Sequence, residues 1–240
     1  MARWHKYYRL SGYAFDNCLR LHTDSIMLFK HGSYPSAMHL SILAKEELGK
    51  AIIFEELIYR LGITKEWADD EHTKKFVMES LSSHSFKQRW FAGHASDFLG
   101  GSIRGKKYRY PSPLFREIYS GKTERNKQDG IYVGLTRDSR GRPNYDGRIS
   151  LPWARATKEM AHDEITLLND FIIVYAEGFS RNVYATDSPD MAESLTQDTV
   201  KELEKMWPDK RAQTLRILKK LREVPVTDNK WGWWEDDPTS

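Results

Sequence analysis

The chain is poor in the residues that build covalent or metal-bound scaffolds: among 240 residues there is a single cysteine, Cys18. An internal disulfide and a cysteine-rich zinc site are both excluded. Long apolar runs are missing as well. The longest wholly apolar or aromatic stretch is Phe171 to Ala176, far short of the roughly 20 residues that cross a bilayer. The start, Met1 to Arg9, is basic and aromatic, with no apolar stretch behind it of the kind a secretory signal needs. A cytoplasmic protein that makes no use of a membrane is therefore expected, and a lone thiol agrees with reducing surroundings. No internal repeat occurs. What is present is 40% hydrophobic residues. At this length that buries one good core, so one domain with an insertion is the simplest organisation.

Helical spacing dominates. Leu10, Tyr13, Ala14, Asn17, Leu21 and Leu28 recur at steps of three, four and seven over Tyr8 to Lys30, before Gly32 and Pro35 punctuate. Ser36 opens a second, largely apolar helix that continues to Leu61, with Gly62 as its stop. A third is expected from Glu71 to Phe98, ending at Gly100-Gly101. A fourth starts behind Pro152, suited to a first helical turn, and carries the stripe Ala161, Ile165, Leu168, Ile172, Tyr175, Phe179. Two shorter helices, Asp190 to Met206 and Asp209 to Glu223, precede a tail holding Trp231, Trp233 and Trp234. The expected fold is all-α: an antiparallel bundle of long helices over 1–186, followed by short helices and a tryptophan-rich acidic tail over 187–240.

Between the third and fourth long helices lies an insertion, 100–150, expected to be mostly irregular, with one strand-like piece, Ile131-Tyr132-Val133. It holds twelve Lys or Arg against five Asp or Glu, in a chain whose net charge is only +3. Tyrosines interleave with these charges. Such a stretch suits a polyanion such as RNA, with Arg104, Lys106, Lys107 and Arg109 as the contacts; a solvated basic loop is the plainer alternative.

Two acids stand out. In the second helix, Glu47 shares a row with Leu40, Leu43, Ala44, Ala51, Phe54 and Ile58, and Glu46 shares one with Ile42, Gly49, Ile53 and Leu57. A carboxylate withdrawn from water must find a cation or a proton. The third helix offers partners, because His84, Lys87, Phe91 and His94 step by three, four and three. Facing the acids, this stripe makes a polar cluster fit for acid-base chemistry. Otherwise the acids form an ion pair that sets helix register, and the stripe is a solvated face.

The run Ser36-Ala37-Met38-His39-Leu40-Ser41-Ile42-Leu43-Ala44-Lys45-Glu46-Glu47-Leu48-Gly49-Lys50-Ala51 resembles the signature helix of the AbiV family of abortive-infection proteins, a branch of the HEPN superfamily. His84-Ser85-Phe86-Lys87-Gln88 is similar to that family's His-x-x-Lys element, and Lys127-Gln128-Asp129-Gly130-Ile131-Tyr132-Val133 to its connector. The resemblance covers Tyr8 to Phe179. It implies a HEPN-like helical bundle acting in bacterial antiviral defence, as a homodimer, with RNA or the translation machinery as target and a phage-encoded protein as activator. It also implies RNA cleavage without metal or other cofactor, through an Arg-x(4 to 6)-His motif from both subunits.

Two segments fit that motif, Arg89 to His94 and Arg155 to His162. With 18 arginines and eight histidines, chance alone supplies about two. Five residues along a helix turn through about 140°, so Arg89 and His94 diverge unless Gly93 breaks the helix, whereas seven residues return almost to one face. Both lack the family's polar residue after the arginine. His84, Lys87, Arg89 and His94 rank first as catalytic candidates, for their predicted proximity to the acids; Arg155 and His162 are the alternative. Glu46 and Glu47 are positioning or structural acids. A dimetal carboxylate bundle is a poor fit, since the Glu-x-x-His spacing at Glu159 to His162 has no second copy on another long helix. A non-catalytic module that binds a phage or ribosomal protein is the remaining rival.

Overall fold

The computed structural model describes residues 5–63, 71–100, 113–138, 142–181 and 188–225. Among them are eleven helices and a single pair of two-residue strands, so the all-α expectation holds. Helices α1 (His5–Lys30) and α2 (Tyr34–Ile63) form an antiparallel hairpin. Its turn depends on Gly32 at φ 79°, a left-handed conformation that closes α1 while Ser33 N–H bonds back to Leu28 O. The pair is tied by Ser11 Oγ, which donates to Glu55 Oε1 at 2.8 Å. Of the predicted α1 row Ala14 and Leu21 are buried, but the row facing inward also takes in Tyr7, Ser11, Phe15, Cys18, His22 and Ile26, while Tyr13 faces solvent. Small and polar residues share this row, which hides its phase from a count of apolar residues.

The third predicted helix is two. Helix α3 (Glu71–Ser82) and α4 (His84–Gly100) break at Ser83, whose hydroxyl accepts from Phe86 N–H and caps α4. Helix α4 crosses α2 at Gly49. A Cβ there would stand 2.1 Å from Lys87 O, so only glycine lets the two backbones meet.

Short regular elements punctuate the described part of the insertion. It holds α5 (Pro113–Tyr119), α6 (Lys122–Asp129) and an antiparallel ribbon of β1 (Gly134–Leu135) and β2 (Ile149–Ser150). The strand falls past the predicted Ile131-Tyr132-Val133, because Ile131 and Tyr132 N–H groups both close onto Gln128 O at the end of α6. Arg104, Lys106, Lys107 and Arg109 lie outside the described residues.

Pro152 does open a helix, but a short one. Helix α7 (Pro152–Arg155) stops at Ala156, which is extended at φ −95° and ψ 93°, and Thr157 caps α8 (Lys158–Phe179) by accepting from Met160 N–H. Every residue of the predicted α8 stripe is buried. Helix α9 (Pro189–Ser194) packs on α1 and helices α10 (Gln197–Met206) and α11 (Ala212–Arg222) on α8, and Met191, Val200, Leu203, Ile217 and Leu221 join one hydrophobic cluster with Leu48, Leu168 and Phe171. The predicted helix from Asp190 splits because Thr196 caps a new one, accepting from Thr199 N–H. Around α8, Trp207 Nε1–H donates to Thr166 Oγ1 at 3.0 Å, and the buried Glu177 carboxylate accepts from Arg181 at 2.6 Å. The three tail tryptophans lie outside the described residues.

Candidate active site

Glu46 is 2% exposed, and three side chains from two helices converge on it. His84 Nδ1, at the first turn of α4, lies 2.6 Å from Oε2. Gln88 Nε2, one turn further on, donates to Oε1 at 2.8 Å. Lys127 Nζ, from α6, donates to the same oxygen at 3.0 Å and to Glu124 at 2.8 Å. Burial pushes the Glu46 carboxyl up, but the bond from His84 and the charge and hydrogen bonds of Lys127 and Gln88 prevail, and it sits below its usual range. Lys127 in turn is depressed by burial, yet Glu124 and Glu46 carry it above the ordinary ammonium value.

An ionised carboxylate only accepts, so His84 donates from Nδ1, and in the neutral ring Nε2 is the acceptor. The His84 side chain is 53% exposed. A buried acid thus holds a half-exposed imidazole, whose Nε2 is the acceptor when the ring is neutral. That is the arrangement of a general base fixed by a carboxylate.

Glu47 behaves differently. It is half-buried and paired with Lys50 of its own helix, at 2.7 Å. Lys87 is buried against the α2 backbone at Gly49 and held below its ordinary value by burial, with Glu46 and Glu47 opposing and Lys50 and Lys127 reinforcing that shift. Its Nζ reaches Leu81 O only at 3.5 Å. Beside Glu46, Lys45 points the other way, is buried over the Phe91 ring, and pairs with Glu164 of α8.

The remaining candidates are placed apart from the acids. The Arg89 guanidinium lies over the Phe86 and Tyr119 rings, 5.7 and 6.0 Å from their centroids. His94 stacks on Trp90 at 6.1 Å. Arg155 bonds Asp129, Leu135 O and Ser150 Oγ, fastening α6 to the ribbon. His162 pairs with Asp209 at 2.9 Å and lies near Trp207. The break at Ala156 separates these last two, so the premise of one continuous helix face fails for them.

With this geometry in view, comparison with known families is informative: the family model described as AbiV, of the HEPN group, matches residues 6–172. The chain belongs to the AbiV family. It matches no curated protein and no solved structure. The AbiV match runs from α1 well into α8 and includes every residue of the Glu46 cluster, while α9 to α11 lie beyond it. It places the chain among HEPN-type proteins of abortive infection. Within this AbiV bundle the signature glycine, Gly49, has a physical role, since it brings the backbone of α4 against α2 and so sets His84 and Gln88 over Glu46.

Sequence reasoning reached His84 and Glu46 but missed Gln88 and Lys127. Gln88 was within reach, being four residues beyond His84 on one helix face. Lys127 was not: it comes from a polar segment 81 residues away from Glu46.

Proposed function

We propose that this protein is a metal-independent endoribonuclease of abortive infection, with His84 as its general base. The observation that carries this reading is the 2.6 Å bond from exposed His84 to buried Glu46, which leaves Nε2 as the proton acceptor of the neutral ring. His84 takes the proton of a ribose 2′-hydroxyl, the oxygen attacks the adjacent phosphorus, and the 5′-oxygen leaves with a proton from solvent. The products are a 2′,3′-cyclic phosphate and a 5′-hydroxyl. Glu46 keeps the imidazole in the productive tautomer, with Gln88 and Lys127 fixing Glu46 itself. The cations beside the acids, Lys50 and Lys87, lend a positive field to the phosphate, and Arg89 and His94 lie further along α4. The working form in this reading is a cytoplasmic homodimer, released to act on RNA or the translation machinery by a phage-encoded protein.

One observation favours a second reading, a binding module without catalysis: the middle of the stripe, Lys87 and Phe91, is sealed in the core. Purified protein incubated with RNA in EDTA decides between them. Cleavage by the wild type that falls by roughly 10²–10⁴-fold in His84→Ala supports the nuclease; RNA equally intact with both proteins, with and without extract of phage-infected cells, supports the binding module.

A further inference from the structure

The ribbon and its flanks expose an unusual amount of aromatic surface. Tyr132 is 62%, Trp153 70% and Tyr145 92% exposed, and Ile149 lies outward between them on β2. Because Gly134 pairs with Ser150 in antiparallel register, the residues just before β1 and just after β2 meet at one end of the ribbon. Tyr132 and Trp153 belong to that end. Tyr145 occupies the far end, in the turn closed by Gly147 N–H to Asn144 O. The result is a strip with a ring at each end.

Its charge is positive on balance. From Asp129 to Lys158 the sequence holds six Arg or Lys against three Asp. Two of those acids and three of the cations pair internally, Asp129 with Arg137 and Arg155, and Asp138 with Arg142, while the third acid, Asp146, is exposed beside Tyr145. Arg148 and Lys158 are exposed, Lys158 next to Glu159, with which it interacts electrostatically. Exposed rings interleaved with exposed cations suit successive bases and phosphates of a single strand, because every base offers a face to stack on. A protein-binding patch of this size would be expected to lose charge at its centre.

The strip is joined to the candidate active site through the end of α6. Tyr132 N–H bonds Gln128 O, one residue after Lys127, whose ammonium lies on Glu46 beside His84. We infer that the outward face of the β1–β2 ribbon and α7 is a single-stranded RNA platform, on which Tyr132, Tyr145 and Trp153 stack bases and Arg148 and Lys158 hold phosphates. It deepens the nuclease reading and rests on it for its RNA, but its test does not require cleavage.

The test is fluorescence anisotropy of the full chain with a labelled single-stranded RNA of about 20 nucleotides, 2′-O-methylated throughout so that no 2′-hydroxyl can attack. The expected result is binding by the wild type that weakens about tenfold in Trp153→Ala and again in Tyr145→Ala. Arg148→Gln is expected to lower the slope of log affinity against log salt by about 1 between about 50 and 200 mM. Met78→Ala, a change at another exposed apolar side chain, leaves binding unchanged. All three platform positions are exposed, and circular dichroism matching the wild type establishes that each variant is folded. The inference is overturned by wild-type protein that does not bind this RNA, or by platform variants that bind it as the wild type does. Self-association abolished by Trp153→Ala, with RNA affinity intact, likewise overturns it and assigns the strip to a protein contact. If the nuclease reading fails while the methylated RNA binds through these residues, the platform stands on its own.

Discussion

Glu46→Gln is the perturbation that most fully exercises the geometry. The substitution keeps shape and removes charge. Three charge-assisted bonds, from His84, Gln88 and Lys127, become neutral or lose an acceptor, at about 1 kcal/mol each given that charged acceptors roughly double a bond's net worth. A loss of about 3 kcal/mol is therefore expected, short of the 3–5 kcal/mol typical of stripping a buried charge of its partner, since Lys127 retains Glu124. Against about 5–15 kcal/mol of total stability the variant remains folded. The sign with pH follows from the depressed Glu46 value: its contribution is complete above the ordinary 4.5 and is lost as pH falls through the lower folded value. Urea unfolding followed by far-UV circular dichroism at pH 7 and at about pH 3 measures both. The gap between wild type and variant should narrow in acid. The amide also offers His84 a donor where the carboxylate offered an acceptor, so the imidazole moves its proton to Nε2 and loses its function as a base. A variant within about 0.5 kcal/mol of wild type at pH 7, or one retaining full RNA cleavage, refutes the reasoning.

Gly49→Ala should destabilise by about 1–3 kcal/mol through overpacking against the Lys87 backbone, even though alanine gains about 1 kcal/mol of helix propensity; a raised melting temperature would contradict the close approach. Fully buried His22 is held down to about 4 by burial, against the raising bond from Asn169. The unfolded chain binds its proton first, so wild-type stability should fall by about 3 kcal/mol as pH drops from 6.5 to about 4. His22→Gln should flatten that slope in denaturant titrations, and an unchanged slope would refute the assignment. Arg155→Met should loosen the ribbon, seen as roughly tenfold or faster amide exchange at Thr136 and Asn144, and exchange at the wild-type rate would show that Arg155 does not fasten it. His162→Ala should leave RNA cleavage unchanged, because its ring serves Asp209; a loss as large as that of His84→Ala would restore the alternative motif.

The long helices were legible because they bury one face: the stripe of α8 repeats at four and three, and each of its predicted residues is inside. Glu46 was legible for the opposite reason, as a charge that its row cannot tolerate alone. The breaks at Ser83 and Ala156 were hidden, since a cap alters backbone direction without disturbing apolar spacing. Helix α6 was hidden too. Lys122 to Asp129 contains no apolar residue that could display a period, and it is held in place by contacts to distant residues, His39 Nδ1 with Lys127 O and Gly130 against Pro35. The different fates of Glu46 and Glu47 depended on which neighbour came closer: an α4 histidine for one, a lysine three residues along for the other.

The claim that His84 is the base of an RNA-cleaving site is tested most directly by mapping 2′,3′-cyclic phosphate ends in RNA from phage-infected cells that carry either the wild type or His84→Ala. Cells with the wild type should accumulate such ends on infection and cells with the variant should not, at equal protein levels. Ends that accumulate equally in both, or in neither while growth still arrests, would contradict it.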